Sequence, residues 1–197
     1  MLQYLHKNWS HAGILIAIYV TLVLLCMAPY LDLFTLLVWL QFPVYLVHEF
    51  EEHTYPGGFK QFVNRTVFQV YDQDIPLTVE RVFWINILAV WFLFPLTAVA
   101  AQLIHPAFGI LTPCFSLVNA SLHIVGAIIK RTYNPGLVAS IFLNYPLGAY
   151  ALFVAYDAGY LIPSYLLCAL LISLGVHIAL LGMALYWYRV WLKNKVV

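Results

Sequence analysis

Six stretches of this chain run for about 20 residues each with almost no charge, and they fix the solvent before they fix the fold. They are residues 12–28, 31–50, 82–104, 107–129, 137–156 and 162–187. Crossing the ~30 Å hydrocarbon core of a bilayer takes about 20 mostly apolar residues in a helix. Of the 197 residues, 64% are hydrophobic and 9% charged, against about 25% charged in an average soluble domain. Mean hydropathy is +0.89. A water-soluble fold of this size cannot bury that much apolar surface. Soluble globular, disordered and nucleic-acid-binding chains are therefore excluded. In lipid every backbone group must be satisfied internally, and no ten-residue alternating pattern of a barrel recurs. The expectation is an all-α polytopic membrane protein. It forms a bundle of six transmembrane helices in a single transmembrane domain over residues 1–197.

The breaks between runs agree with that count. Pro29 ends the short first run, and Tyr30, Leu31 and Asp32 turn into the second. His105–Pro106 parts the third from the fourth, residues 131–136 the fourth from the fifth, and residues 157–159 the fifth from the sixth. Pro163 falls in the first turn of the last helix, where its missing N–H costs nothing. Six spans put both termini on one side. Lys7, Lys60, Arg65, Arg81, Lys130, Arg131, Arg189, Lys193 and Lys195 all fall on that side. The positive-inside rule makes it cytoplasmic, so an integral membrane protein with both termini cytoplasmic is expected. The first run is long enough to span and lacks a small-residue cleavage site, so it reads as a span and not as a signal peptide. Cys26, Cys114 and Cys168 sit singly in apolar runs and read as small buried residues.

The one long connection, residues 54–81, opens with Pro56-Gly57-Gly58. Phe59, Phe62, Val63, Val67, Val70 and Tyr71 then recur with a helical period among Lys60, Gln61, Asn64 and Arg65. This predicts an amphipathic helix on the membrane interface between spans two and three. No internal repeat is evident, so the inverted-repeat signature of many transporters is missing.

Polar residues gather at one depth. Span two ends His48-Glu49-Phe50-Glu51-Glu52-His53. On a helix His48, Glu51 and Glu52 share a face, while Glu49 and His53 form a second i, i+4 pair. Carboxylates are disfavoured at a helix C-terminus, and a bound cation is the simplest compensation. Span four carries Asn119 and His123, with His123 about 10 Å from the cytoplasmic edge. His48 lies at about 12 Å and His177 of span six at about 18 Å. Ionisable groups in spanning segments mark functional sites by default.

Imidazole with carboxylate suits a divalent metal ion, zinc or iron, and no thiolate is nearby. His48, Glu52, His123 and His177 are the expected ligands. Glu51 and Asn119 act as further ligands or orient them, and Glu49, His53 or Glu80 are available for a second ion. The spacing is not that of HExxH metalloproteases, since His follows His48 at i+5. The leading expectation is a membrane-embedded metal-dependent enzyme acting from the cytoplasmic leaflet on a lipid or other small amphiphile. Hydrolysis by metal-activated water is favoured, with Glu51 or Glu52 as catalytic base. Di-iron oxidation of a similar substrate is the enzyme alternative, and a small metal or proton transporter the non-enzyme one.

His48-Glu49-Phe50-Glu51-Glu52 resembles the signature of the HXXEE-motif family of small integral membrane proteins. Asn119-Ala120-Ser121-Leu122-His123 resembles the family's NxxxH element, and Tyr133-Asn134-Pro135-Gly136 its short Pro-Gly turn. The resemblance spans residues 44–136. It carries over His48, Glu51, Glu52, Asn119 and His123 as site residues and implies no reaction.

Overall fold

The computed structural model describes residues 2–195. Among them are no strands and six helices long and apolar enough to cross a membrane. These spans, one to six, are Tyr4–Tyr30, Leu33–His53, Val79–Leu103, Pro106–Lys130, Leu137–Asp157 and Pro163–Lys195. Span one starts well before the apolar run, because a helix continues into its polar flank wherever neighbours cover it. Trp9 and Ser10 are buried there. Span six likewise runs on past its apolar run.

Span two is the central helix: 61% of its apolar stretch is buried in the protein, against 11% for span six. Asp32 caps its start, accepting from the Thr35 N–H at 3.0 Å. Burial pushes the Asp32 carboxyl up, but the hydrogen bonds from Thr35 outweigh this and hold it below the ordinary range. Phe34, Val38, Ala98, Ala101, Ile110 and Cys114 form one apolar cluster at this end of the bundle. Gly109 permits the closest approach there, since a Cβ would lie 2.7 Å from Val38 Cγ2. Apolar side chains such as Leu15, Leu22, Leu171 and Ile178 stay exposed on spans one and six, as a lipid-facing surface requires. Cys26 and Cys168 share that exposure, and only Cys114 is buried. The expectation of burial fails for those two because their spans lie at the periphery.

Two spans are locally widened, each just before an internal proline. Residues Ile87–Phe92 form a π-helical turn ahead of Pro95, and Ser140–Asn144 form one ahead of Pro146. Proline donates no backbone hydrogen bond and its ring strikes the carbonyl four residues back. A π turn absorbs both faults without breaking the span.

The helix expected over residues 59–71 is real but shorter. It comprises Phe59–Phe62 and a π turn, Val63–Val67. Gln69 adopts a positive φ of 57°, and the chain beyond is non-helical. The side chain of Asn64 exchanges two hydrogen bonds with the Leu77 backbone, so the segment folds back on itself instead of extending. Its apolar side also packs on protein. Phe59 and Val63 lie against Trp9, Leu77 and Val82, and Phe68 and Val70 against Ala184, Tyr188 and Trp191.

Candidate metal centre

Span two presents three carboxylates within four residues, and the fold sends each one to a different partner. Glu49 turns toward span three, where its Oε2 accepts from Trp91 Nε1 at 2.9 Å. Glu51 turns toward the start of span five. Its oxygens accept from Tyr133 Oη at 2.8 Å, Val138 N at 3.0 Å and Ala139 N at 2.6 Å. The carboxylate thus caps the positive end of a neighbouring helix, which offsets its own position at a helix C-terminus. Burial, then the hydrogen bond to Glu51, pushes the Tyr133 phenol above its ordinary range, so Tyr133 keeps its proton and donates.

Only Glu52 faces the histidines. Its Oε1 lies 3.1 Å from His123 Nε2 and 3.5 Å from His48 Nε2. Glu52, His48 and His123 are all buried and offer ligand atoms within 4.8 Å of one another. Two ligands on a tetrahedral zinc ion with bonds of 2.0–2.1 Å sit about 3.3–3.4 Å apart, close to both of these separations.

The turn between spans four and five builds the rest. Asn134 Nδ2 donates to the His123 carbonyl oxygen at 2.9 Å, so its Oδ1 faces the ring at 2.6 Å from Nδ1. An amide oxygen only accepts, so His123 Nδ1 carries a hydrogen and a neutral ring has its Nε2 lone pair aimed at Glu52. A lone pair against a carboxylate is repulsive unless a cation, whether a proton or a metal ion, lies between them. His48 is fully buried, with no hydrogen-bond partner at either ring nitrogen. Gly136 has φ 98°, and a Cβ there would lie 2.7–2.8 Å from His48 Cε1, Glu52 Cγ and His123 Cε1. Glycine keeps that space open. Buried ring nitrogens without partners and a cradle that a methyl group would fill both fit a bound metal ion.

Of the other expected site residues, His53 touches the trio at Glu52 and the rest have other surroundings. Glu51 has its oxygens taken by Tyr133 and two backbone N–H groups, so it sits as a cap on the start of span five. His177 Nδ1 donates to the Ser173 carbonyl of its own helix at 2.7 Å, and its ring packs on Phe115 at 4.7 Å. Phe115 lies about two turns before His123, so His177 is held at another level. Asn119 stands one turn before His123 on the same face, half-buried, with Oδ1 lacking a hydrogen-bond partner. Glu80 is exposed. His53 sits between the Trp9 and Phe59 rings at 5.1 and 5.7 Å, with Nε2 3.4 Å from Glu52 Oε2. Asn134 and Gly136 were visible in the sequence only as turn formers, and their roles arise from how the turn folds back.

A cleft on the loop side reaches the trio at Glu52. It has a volume of ≈ 200 Å³, with Glu52 and His53 in its wall beside Lys7, Trp9, Phe59 and Lys60. Replacing Asn134 by alanine is expected to release the His123 ring and lower divalent-metal affinity about 10–100-fold, the usual effect of losing a ligand's supporting hydrogen bond. Zinc titration of purified N134A protein against the parent checks this. Equal affinity would deny Asn134 that role.

A family model described as a protein of unknown function with HXXEE motif matches residues 39–151, more than half of the chain. The match covers the whole trio and the turn that supports it. No curated protein and no solved structure matches the chain.

Proposed function

Given that the chain belongs to the HXXEE-motif family, we propose that its shared motif builds a single metal site in a membrane-embedded hydrolase acting on a lipid or other small amphiphile. One observation carries this reading: the Nε2 atoms of His48 and His123 converge on one oxygen of Glu52, with His123 Nδ1–H already committed to Asn134. Two histidines and a carboxylate with an open position form a common zinc hydrolase ligand set. A divalent ion held there supplies Lewis acidity and lowers the pKa of a bound water.

The protein's own groups do the rest. Asn134 fixes the His123 ring and Gly136 leaves room for the ion. His53 stands between Glu52 Oε2 and the Asn86 amide, each 3.4 Å from its Nε2. In its two protonation states it donates to the one or accepts from the other. That suits it to take a proton from the site and release it to the cleft. Trp9 and Phe59 receive the apolar part of the substrate, while Lys7 stands near its polar end and Lys60 is held by Asp74.

The same ligand set also suits mononuclear non-haem iron, which makes oxidation the second reading. Two ions are less well supported, because both oxygens of Glu51 accept from Tyr133, Val138 and Ala139, and Glu49, whose Oε1 has no partner, turns toward Trp91 on span three. Elemental analysis of the purified protein, paired with turnover of ester, amide and phosphodiester amphiphiles, tests the proposal. About one zinc per chain with hydrolysis supports it. Stoichiometric iron with oxygen-dependent turnover favours the second reading, and a protein free of metal after purification and zinc reconstitution overturns both.

The one-sided placement of Lys and Arg further supports cytoplasmic termini and a cleft open to the cytoplasmic leaflet. A single cysteine introduced beside Lys195, with the three native cysteines replaced, should react with an impermeant maleimide only after cells are permeabilised. Labelling of intact cells would reverse the orientation.

A further inference from the structure

Away from the trio, spans two, four and five bury a set of uncharged polar side chains whose hydrogen-bonding atoms have no protein partner. These are Gln41 (Nε2 and Oε1), Thr112 (Oγ1), Ser140 (Oγ), Asn144 (Nδ2 and Oδ1) and the Oδ1 of half-buried Asn119. Gln41, Thr112, Ser140 and Asn144 are at most 1% exposed. The π turn Ser140–Asn144 packs against both span two and span four. Counting along each helix from the trio, Asn119 and Ser140 lie about 6 Å deeper. Gln41 lies about 10 Å beyond His48, Asn144 about 12 Å beyond Gly136, and Thr112 about 16 Å beyond His123. The positions recur at i, i+4 on span five, and Gln41 and His48 lie two turns apart on span two, so each helix turns one polar stripe inward.

Buried amides and hydroxyls are almost always hydrogen-bonded, and where protein supplies no partner internal water does, with about three bonds per molecule. We propose that spans two, four and five enclose a file of bound water running from His48 toward the opposite face of the membrane. The file is the entry for the water that hydrolysis consumes, a role that rests on the hydrolase reading while the file itself does not. One water is used per turnover: its oxygen bonds to the electrophilic atom of the substrate, the bond to the leaving group breaks, and the leaving group takes up a proton. An amphiphile seated in the cleft covers the Glu52 and His53 side, so replacement water arrives from the side of His48.

X-ray radiolysis of the intact purified protein tests the file, because hydroxyl radicals born on bound water label their neighbours. Tyr45 and Phe115 are only 4% and 3% exposed, and Phe68, at 8%, packs on span six outside the file. Tyr45 and Phe115, though less exposed, should be hydroxylated several-fold faster than Phe68. Q41L and N144L, made singly, should each slow Phe115 labelling several-fold and leave Phe68 unchanged. Labelling of Phe115 no faster than that of Phe68 in the parent overturns the file whether or not either variant folds. Labelling of Phe115 that a folded variant leaves untouched also overturns it. Labelling as expected in a protein that hydrolyses nothing keeps the file and removes only its supply role.

Discussion

Gly136→Ala is expected to abolish metal binding while leaving the six-span fold intact. Two effects act at one atom. An L-residue forced into a left-handed conformation costs about 1–2 kcal/mol. The new Cβ also overlaps His48 Cε1, Glu52 Cγ and His123 Cε1 at 2.7–2.8 Å, so all three ligands must move. A loss of 1.4 kcal/mol is already ten-fold in affinity, and displacing three ligands at once should exceed a hundred-fold, while the strain lowers stability. Gly58→Ala separates the two causes. Gly58 also has a positive φ, of 95°, but a Cβ there meets only Pro135 Cγ, at 3.9 Å. That variant should lose stability and keep its metal. Zinc content and thermal unfolding of both proteins decide the matter, and a G136A protein with full zinc content would show that the cradle holds no ion.

The second large effect separates neighbouring carboxylates. Glu52→Gln and His123→Ala should each lose the metal, since both remove a ligand from a buried site. Glu51→Gln should retain it. Its cost appears in stability instead, because a neutral amide makes weaker hydrogen bonds to the Val138 and Ala139 N–H groups and to Tyr133. Hydrogen bonds to a charged group are worth about 1.5–3 kcal/mol, so E51Q should unfold at a clearly lower temperature with its zinc still bound. Stoichiometric metal in all three variants would mean that the cluster binds none. A charged cap or a proton-transport role would then explain the motif better. Metal loss in E51Q alone would make Glu51, not Glu52, the ligand.

Much of this protein is fixed by local sequence. Apolar length sets the number of spans, because hydrocarbon tolerates no unpaired backbone. The spacing of His48 to Glu52 and of Asn119 to His123 marks the depth of the site, because helical periodicity and rise are local properties. Tertiary structure decides what the sequence leaves open. Glu51 and Glu52 are adjacent, so their side chains diverge by about 100° around the helix. Which one meets the histidines depends on where spans four and five pack. His177 had suitable chemistry and nearly suitable depth, but its hydrogen bond to Ser173 and its packing on Phe115 hold it elsewhere. Tyr133, Asn134 and Gly136 read locally as parts of a turn. Only the return of that turn onto the end of span two makes them a cap for Glu51, a support for His123 and an opening among three ligands. Contacts between residues far apart in the chain are set by packing, and no helical period encodes them.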